Sequence, residues 1–215
     1  MLQSAFADIE TWVFDLDNTL YPPEMRLFDQ IEVKMTHWVM QTASVDHTTA
    51  DMLRSSYWQK YGTTLAGLMA EHDIDAKAFL EDVHDIDFNV LSPDPILRAQ
   101  IEALPGRKII YTNGTAPYAG QVIAHRGLDG LFDAIYGVEH ASLRPKPNRA
   151  AFQEVFARDG LTPGRSVMFE DEARNLEAPY AMGMRTVHVA PEPLSAPYIH
   201  HHTDDLSGFL KQVMA

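Results

Sequence analysis

Trp12-Val13-Phe14-Asp15-Leu16-Asp17-Asn18-Thr19-Leu20-Tyr21-Pro22 is the stretch from which the rest of the chain can be read. Trp12 to Phe14 is a bulky, β-branched and aromatic run without polar alternation, which suits a short strand covered on both faces. Asp15-x-Asp17-x-Thr19 then breaks strand propensity and favours a loop. The two carboxylates therefore leave the carboxyl end of a strand, where open α/β sheets place their ligand sites. Tyr21-Pro22-Pro23 gives the chain a stiff exit.

Downstream of this exit the period changes. Leu27, Ile31, Met35 and Trp38 recur at helical spacing. Further helices are expected over about Asp46 to Tyr61, with Gly62 as terminator, over Leu65 to Glu71 and over Ala76 to His84. No strand is expected between Pro23 and Asn89. From residue 90 strands and helices alternate. A helix follows Ser92-Pro93-Asp94-Pro95, and strands are expected at Lys108 to Tyr111, Phe132 to Tyr136, Val167 to Phe169 and Thr186 to Val189. A final amphipathic segment spans Asp205 to Val213. That alternation implies right-handed βαβ units and a parallel sheet. The expected organisation is an α/β core built from residues 1–22 and 90–215, with an all-helical insertion at 23–89.

Composition limits the function classes. The 215 residues include no cysteine, which removes disulfides, thiolate metal sites and cysteine nucleophiles. A hydrophobic fraction of 46% supplies a packed core, yet no apolar run approaches a membrane span. The net charge of -13 argues against a nucleic acid polymer as partner. It does not exclude a small anionic substrate, because distant carboxylates are screened beyond a Debye length of about 8 Å. The N-terminus lacks the pattern of a signal peptide, and a cytoplasmic location is expected. Oligomeric state cannot be read from the sequence.

Phe14-Asp15-Leu16-Asp17-Asn18-Thr19-Leu20-Tyr21-Pro22 resembles the first motif of the haloacid dehalogenase superfamily in its phosphatase form, and is most similar to the pyrimidine 5'-nucleotidase-like members. Leu91-Ser92-Pro93-Asp94-Pro95 and Arg144-Pro145-Lys146-Pro147 extend the resemblance. It implies a Rossmann-like catalytic core with a helical cap inserted after the first strand. It also implies a Mg2+-dependent phosphomonoester hydrolase working through an aspartyl-phosphate, with a pyrimidine nucleoside 5'-monophosphate such as UMP or CMP as substrate. A phosphatase of another small phosphorylated metabolite, a haloacid dehalogenase and a non-catalytic binding protein of the same fold are the alternatives.

Each residue type suits such a reaction. Asp15 is the candidate nucleophile and Asp17 the candidate acid and base. Thr112 and the amides of Asn113 and Gly114 are candidates for phosphate binding, since glycine permits close backbone approach. Lys146 supplies a compact positive charge. Mg2+ needs hard oxygen ligands; Asp15, the Asp17 carbonyl and Asp171 are the expected set, with Glu170 direct or through water. The pair Glu170-Asp171 departs from the Asp-Asp or split pair of many members. Asn175 stands where split-pair members carry a carboxylate; it is expected to serve Lys146, a metal-bound water or only its own helix. Carbon–halogen hydrolysis needs no acid for an alkoxide, so Asp17 favours phosphate esters.

Three other features read as structural. Tyr57, Trp58 and Tyr61 offer a surface for base stacking, but aromatics at helical spacing usually serve a core. His200-His201-His202 reads as native structure, and the scattered methionines as core filler.

Overall fold

The computed structural model describes residues 2–215. A short helix α1 (Leu2–Phe6) precedes the first strand, β1 (Thr11–Phe14). Helices α2 (Leu27–Ala43), α3 (His47–Tyr61), α4 (Thr64–Glu71) and α5 (Ala76–Val83) follow without an intervening strand. Next come α6 (Pro95–Ala103), β2 (Arg107–Tyr111), α7 (Ala116–His125), β3 (Ala134–Tyr136), α8 (Arg149–Asp159) and β4 (Ser166–Glu170). The chain ends with α9 (Glu177–Ala181), β5 (Arg185–Val189), β6 (His201–Thr203) and α10 (Leu206–Met214).

Local chemistry sets most of these boundaries. The side chains of Asp46, Thr63, Asp75, Asp94 and Thr115 each accept a backbone N–H and cap α3, α4, α5, α6 and α7. Proline at the start of α6 and α7 is tolerated because those first N–H groups have no helical partner. Gly62 ends α3 with a φ of 97°, a backbone conformation that side-chain-bearing residues avoid.

All six strands are parallel, in the order β3-β2-β1-β4-β5-β6. This is the doubly wound order, and its direction reverses between β1 and β4. Phe14 stands in register with Ile110 on β2 and Phe169 on β4. The next residue, Asp15, still donates its N–H to the Phe169 carbonyl at 2.9 Å. Every residue of β1 is buried. Trp12 and Phe14 join the core on one face, with Phe169, Leu210 and Phe209; Val13 joins the other, with Ile109, Phe152 and Val155. That two-sided burial explains the unalternated pattern of the strand.

The sixth strand is a departure from expectation. His200-His201-His202 reads in the sequence only as native structure, yet His201–Thr203 adds a parallel edge to β5. The pairing is held by tertiary contacts. His200 Nδ1 accepts the Thr186 N–H at 3.1 Å, and His202 Nε2 donates to the Ala190 carbonyl at 2.8 Å. Three half-buried residues, two of them histidines, carry no strand signal of their own.

The helical insertion packs against itself and is tied to the rest of the chain at its two connections and through Arg174. Tyr57 is buried rather than available for stacking: a Cβ on Gly67 would lie 2.3 Å from its ring. Gly67→Ala is therefore expected to push α4 off α3 and to lower the thermal midpoint by several degrees, read by differential scanning fluorimetry. The buried Arg126 at the end of α7 holds both connections. Its Nε donates to the Leu20 carbonyl at 3.2 Å, Nη1 to the Ser92 carbonyl, and Nη2 to Asp94 Oδ2 at 2.7 Å. Arg126→Met would leave these acceptors in place without a donor. A loss of about 2–3 kcal/mol in urea denaturation is expected.

Candidate active site

The carboxyl ends of β1, β2 and β4 bring the charged residues together. Lys146 reaches this point from the loop before α8 and is 1% exposed. Its ammonium donates to Asp15 Oδ1 at 2.5 Å, to Glu170 Oε2 at 2.7 Å and to the Tyr111 carbonyl at 3.1 Å. Burial disfavours its charge, but Asp15 and Glu170 overcome that and hold it firmly protonated. Asn113 fixes the loop: it accepts the Lys146 N–H at 2.8 Å and donates to the Lys146 carbonyl at 3.2 Å. The Lys146–Pro147 peptide bond is cis.

Carboxylate oxygens of Asp15, Glu170 and Asp171 lie within 4.8 Å of one another. Burial pushes the Glu170 and Asp171 carboxyls upward, and the Asp15 charge adds to this. Three hard oxygen donors crowded in this way fit a divalent cation such as Mg2+, whose charge would relieve their mutual repulsion. Glu170 is already well partnered. One oxygen takes Lys146, and the other takes Asn175 Nδ2 at 3.0 Å and the Glu172 N–H at 3.3 Å. Asp171 is less occupied, with Asn18 Nδ2 at 3.4 Å. Its carbonyl accepts His188 Nε2 at 2.9 Å. Asn175 thus serves Glu170 directly.

Asp17 points elsewhere. Its Oδ1 accepts the hydroxyls of both Tyr21 and Tyr118, each at 2.6 Å. Burial, then the neighbouring Asp15 charge, push its pKa up to about 6, against the pull of the two hydroxyls and of Lys146. The left-handed φ of Asn18, 56°, is one that asparagine tolerates, and it turns the chain so that the Leu20 N–H returns to the Leu16 carbonyl. Asp15 and Asp17 are thereby presented from one exit loop.

Thr112-Asn113-Gly114 also lies at this end of the sheet. The Gly114 N–H is donated to Thr112 Oγ1 at 2.9 Å, so it is internally satisfied. The Asn113 side chain is spent on Lys146, which leaves its backbone as the part able to meet a phosphate.

Residues outside the expected catalytic set complete the setting. Tyr118, on α7, and Tyr21 are buried, and their hydroxyls are held well above the ordinary phenol range by burial and by Asp17. Arg174 bridges to the insertion: it donates to the Trp58 carbonyl at 2.8 Å and the Gly62 carbonyl at 3.1 Å, with its guanidinium 3.7 Å over the Trp58 ring. A cavity of about 520 Å3 lies between α5 and α7, with Leu80, His84, Phe88, Tyr118 and Leu143 in its wall. His84 stacks on Tyr118 with centroids 4.3 Å apart.

His84 also carries a pH signature. Burial lowers its pKa from 6.5 to about 4. The unfolded chain therefore binds this proton more readily than the folded one. Its stabilising contribution is complete above pH 6.5 and is lost as pH falls toward 4. Relative to the wild type, His84→Phe should lose roughly 2 kcal/mol less between pH 7 and 4.5 in urea denaturation.

A parallel sheet in this order, with a carboxylate pair leaving its central strand and a buried lysine between two acidic strand ends, defines a class of hydrolase. The chain belongs to the haloacid dehalogenase-like hydrolases, whose family model matches residues 9–183. Among curated proteins it is similar to phosphate metabolism protein 8 of Saccharomyces cerevisiae, at 25% identity over 194 residues. That match takes in 81% of this chain and 60% of the yeast protein, so the chain spans less than two thirds of the relative's length. In fold it is similar to the hydrolase YfnB of Bacillus subtilis, solved with bound magnesium, with a TM-score of 0.62 at 14% identity over 96% of this chain and 99% of that one. An L-2-haloacid dehalogenase aligns with a TM-score of 0.59 at 14% identity, over 95% and 99% of the two chains. Among the described residues, no helix is long and apolar enough to cross a membrane.

Proposed function

We propose that this hydrolase is a phosphomonoesterase that transfers the phosphoryl group to Asp15. The observation that carries this reading is Asp17. It is a second carboxyl on the same loop, kept apart from Lys146 and brought to a pKa of about 6. Such a group can be protonated near neutral pH and can serve as acid, then base. A halide leaving group would give it no proton to supply.

In the first step an Asp15 oxygen attacks phosphorus, an O–P bond forms, and the bond to the leaving oxygen breaks. The Asp17 proton goes to that oxygen, so the alcohol leaves neutral. In the second step Asp17, now a carboxylate, takes a proton from water as that water attacks phosphorus. Asp15 is released and inorganic phosphate departs. Lys146 orients Asp15 and offsets negative charge beside the reacting group. Asp15, the Asp17 carbonyl and Asp171 would hold Mg2+, with Glu170 contributing through its hold on Lys146. The cation would supply charge neutralisation and a fixed orientation for the phosphate. Thr112 and the amide of Asn113 would hydrogen-bond phosphate oxygens.

The substrate is a nucleoside 5'-monophosphate of the UMP or CMP type. Support comes from the motif Asp-Leu-Asp-Asn-Thr-Leu-Tyr at residues 15–21. The cavity beside Tyr118, with His84 and Phe88 in its wall, adds an aromatic surface suited to a base. Residues 23–89 act as a cap over residues 1–22 and 90–215, with Arg174 and Trp58 at the contact. Locking cap to core with an engineered crosslink should stop turnover; unchanged turnover would refute closure.

The test is phosphate release from a panel of nucleoside monophosphates and sugar phosphates, with Mg2+ and with chelator. Release from UMP or CMP that the chelator abolishes is expected. Equal rates on unrelated phosphates would keep the chemistry and discard the nucleotide. Halide release from 2-haloacids without Mg2+ would overturn the phosphatase reading.

A further inference from the structure

We propose that Tyr21 and Tyr118 form a clamp that fixes which oxygen of Asp17 carries the proton given to the leaving group, an inference that rests on the phosphomonoesterase reading. Both hydroxyls donate to the same atom, Oδ1, each at 2.6 Å. A carboxyl oxygen that already accepts two hydrogen bonds is a poor place for the acid's proton. The proton belongs on Oδ2, which makes Oδ2 the donor to the leaving oxygen and, in the second step, the acceptor from water. The clamp also sets the rotation of the carboxyl group, since two donors arriving from different elements define its plane.

The surroundings serve this geometry. Tyr21 follows Asp17 by four residues on the exit loop, whereas Tyr118 arrives from α7, 101 residues away. Both rings are buried, so their hydroxyls face little competition from water. Neither hydroxyl ionises in the ordinary range, so both remain donors through the cycle. Tyr118 is held by its own surroundings. His84 stacks on one side of its ring, and a Cβ on Gly114 would stand 2.8 Å from its Cδ1. Glycine at 114 thus admits the tyrosine ring as well as the phosphate. Among the described residues, the Tyr21 and Tyr118 hydroxyls bond to Asp17 and not to Lys146, Asp15, Glu170 or Asp171. They are positioning residues for Asp17 alone.

The experiment uses substituted phenyl phosphates that span a wide range of leaving-group acidity. A well-placed acid makes kcat/KM nearly insensitive to the leaving group; a misplaced acid makes it steeply sensitive. Wild type, Tyr21→Phe, Tyr118→Phe, the double variant and Asp17→Asn are compared. Phenylalanine keeps the ring and removes only the hydroxyl. For the poorest leaving group each single variant should lose about tenfold and the double about a hundredfold, while the best leaving group changes by less than about threefold. A uniform loss across the series, or none, would overturn the clamp, because a purely structural role cannot discriminate between leaving groups. If Asp17→Asn steepens the dependence and the tyrosine variants do not, only the clamp fails. If Asp17→Asn leaves it unchanged, or the wild type releases phosphate neither from this series nor from the nucleoside monophosphates, the underlying reading fails and the clamp falls with it. Thermal midpoints of all variants identify any that fails to fold; Tyr21→Phe and Tyr118→Phe arise from separate elements, so either one alone decides the slope.

Discussion

Asp15→Asn is expected to abolish turnover, lowering kcat by at least roughly 10^4-fold on the preferred substrate, with the fold intact. An amide oxygen is a far weaker nucleophile than a carboxylate, and no neighbouring group can replace it. One Asp17 oxygen is held by its two tyrosines, while both Glu170 oxygens are committed to other partners. The fold should survive because Lys146 keeps Glu170 as counter-ion, and because removing one charge relieves the crowding of Asp15, Glu170 and Asp171. Two measurements decide the outcome. Initial-rate kinetics should show the loss. Mass spectrometry of acid-quenched turnover should show a phosphoryl adduct on the wild type and none on the variant. Retention of more than about a hundredth of wild-type activity would remove Asp15 from the nucleophile's role.

Lys146→Met is expected to damage both stability and catalysis. The side chain is fully enclosed and stands between two carboxylates at 2.5 and 2.7 Å. Taking away one member of a buried ionic cluster leaves the others without compensation, at a cost of about 3–5 kcal/mol. The sign of the pH dependence follows. Without the lysine, which pulls the Glu170 carboxyl down, burial and the Asp15 charge would raise that carboxyl further in the folded state. A carboxyl raised in this way binds protons more readily folded than unfolded, so stability is regained as pH falls through its folded-state pKa. Urea denaturation at pH 7.5 and 5.5 should therefore show the deficit shrinking at the lower pH. Millimolar Mg2+ at pH 7.5 should also recover part of it, by binding only the folded form. A deficit that is the same at both pH values and insensitive to Mg2+ would refute the account. Activity should fall by about 10^3-fold or more even where the variant is folded, since the charge beside the reacting group is gone.

Much of this molecule is written in its sequence. Trp12 to Phe14 announced a strand buried on both faces, and that strand is the central one. The helix starts at Asp46 and after Ser92-Pro93-Asp94-Pro95 and the terminator Gly62 were legible, because such signals act over a few residues. The candidate charged residues stood at strand ends, where a parallel sheet must converge them. Asp15, Lys146, Glu170 and Asp171 do meet in space.

What lay outside the sequence's reach depends on contacts between distant elements. The edge strand at His201 to Thr203 exists because β5 offers it hydrogen bonds. Tyr57 turned inward because Gly67, on the next helix, leaves space for its ring. Arg126 carries no signal in the sequence, yet it ties together carbonyls from both connections to the insertion. Asn175 had Lys146, a metal-bound water or its own helix as expected partners, but tertiary packing engages it with Glu170, and engages the Asn113 side chain with Lys146. Tyr118, 101 residues from Asp17, belongs to no motif. Local sequence fixes propensity, caps and the order of strand-end groups, since these are short-range effects. Which hydroxyl or amide finally meets a buried carboxylate depends on desolvation, and only the assembled tertiary structure determines that.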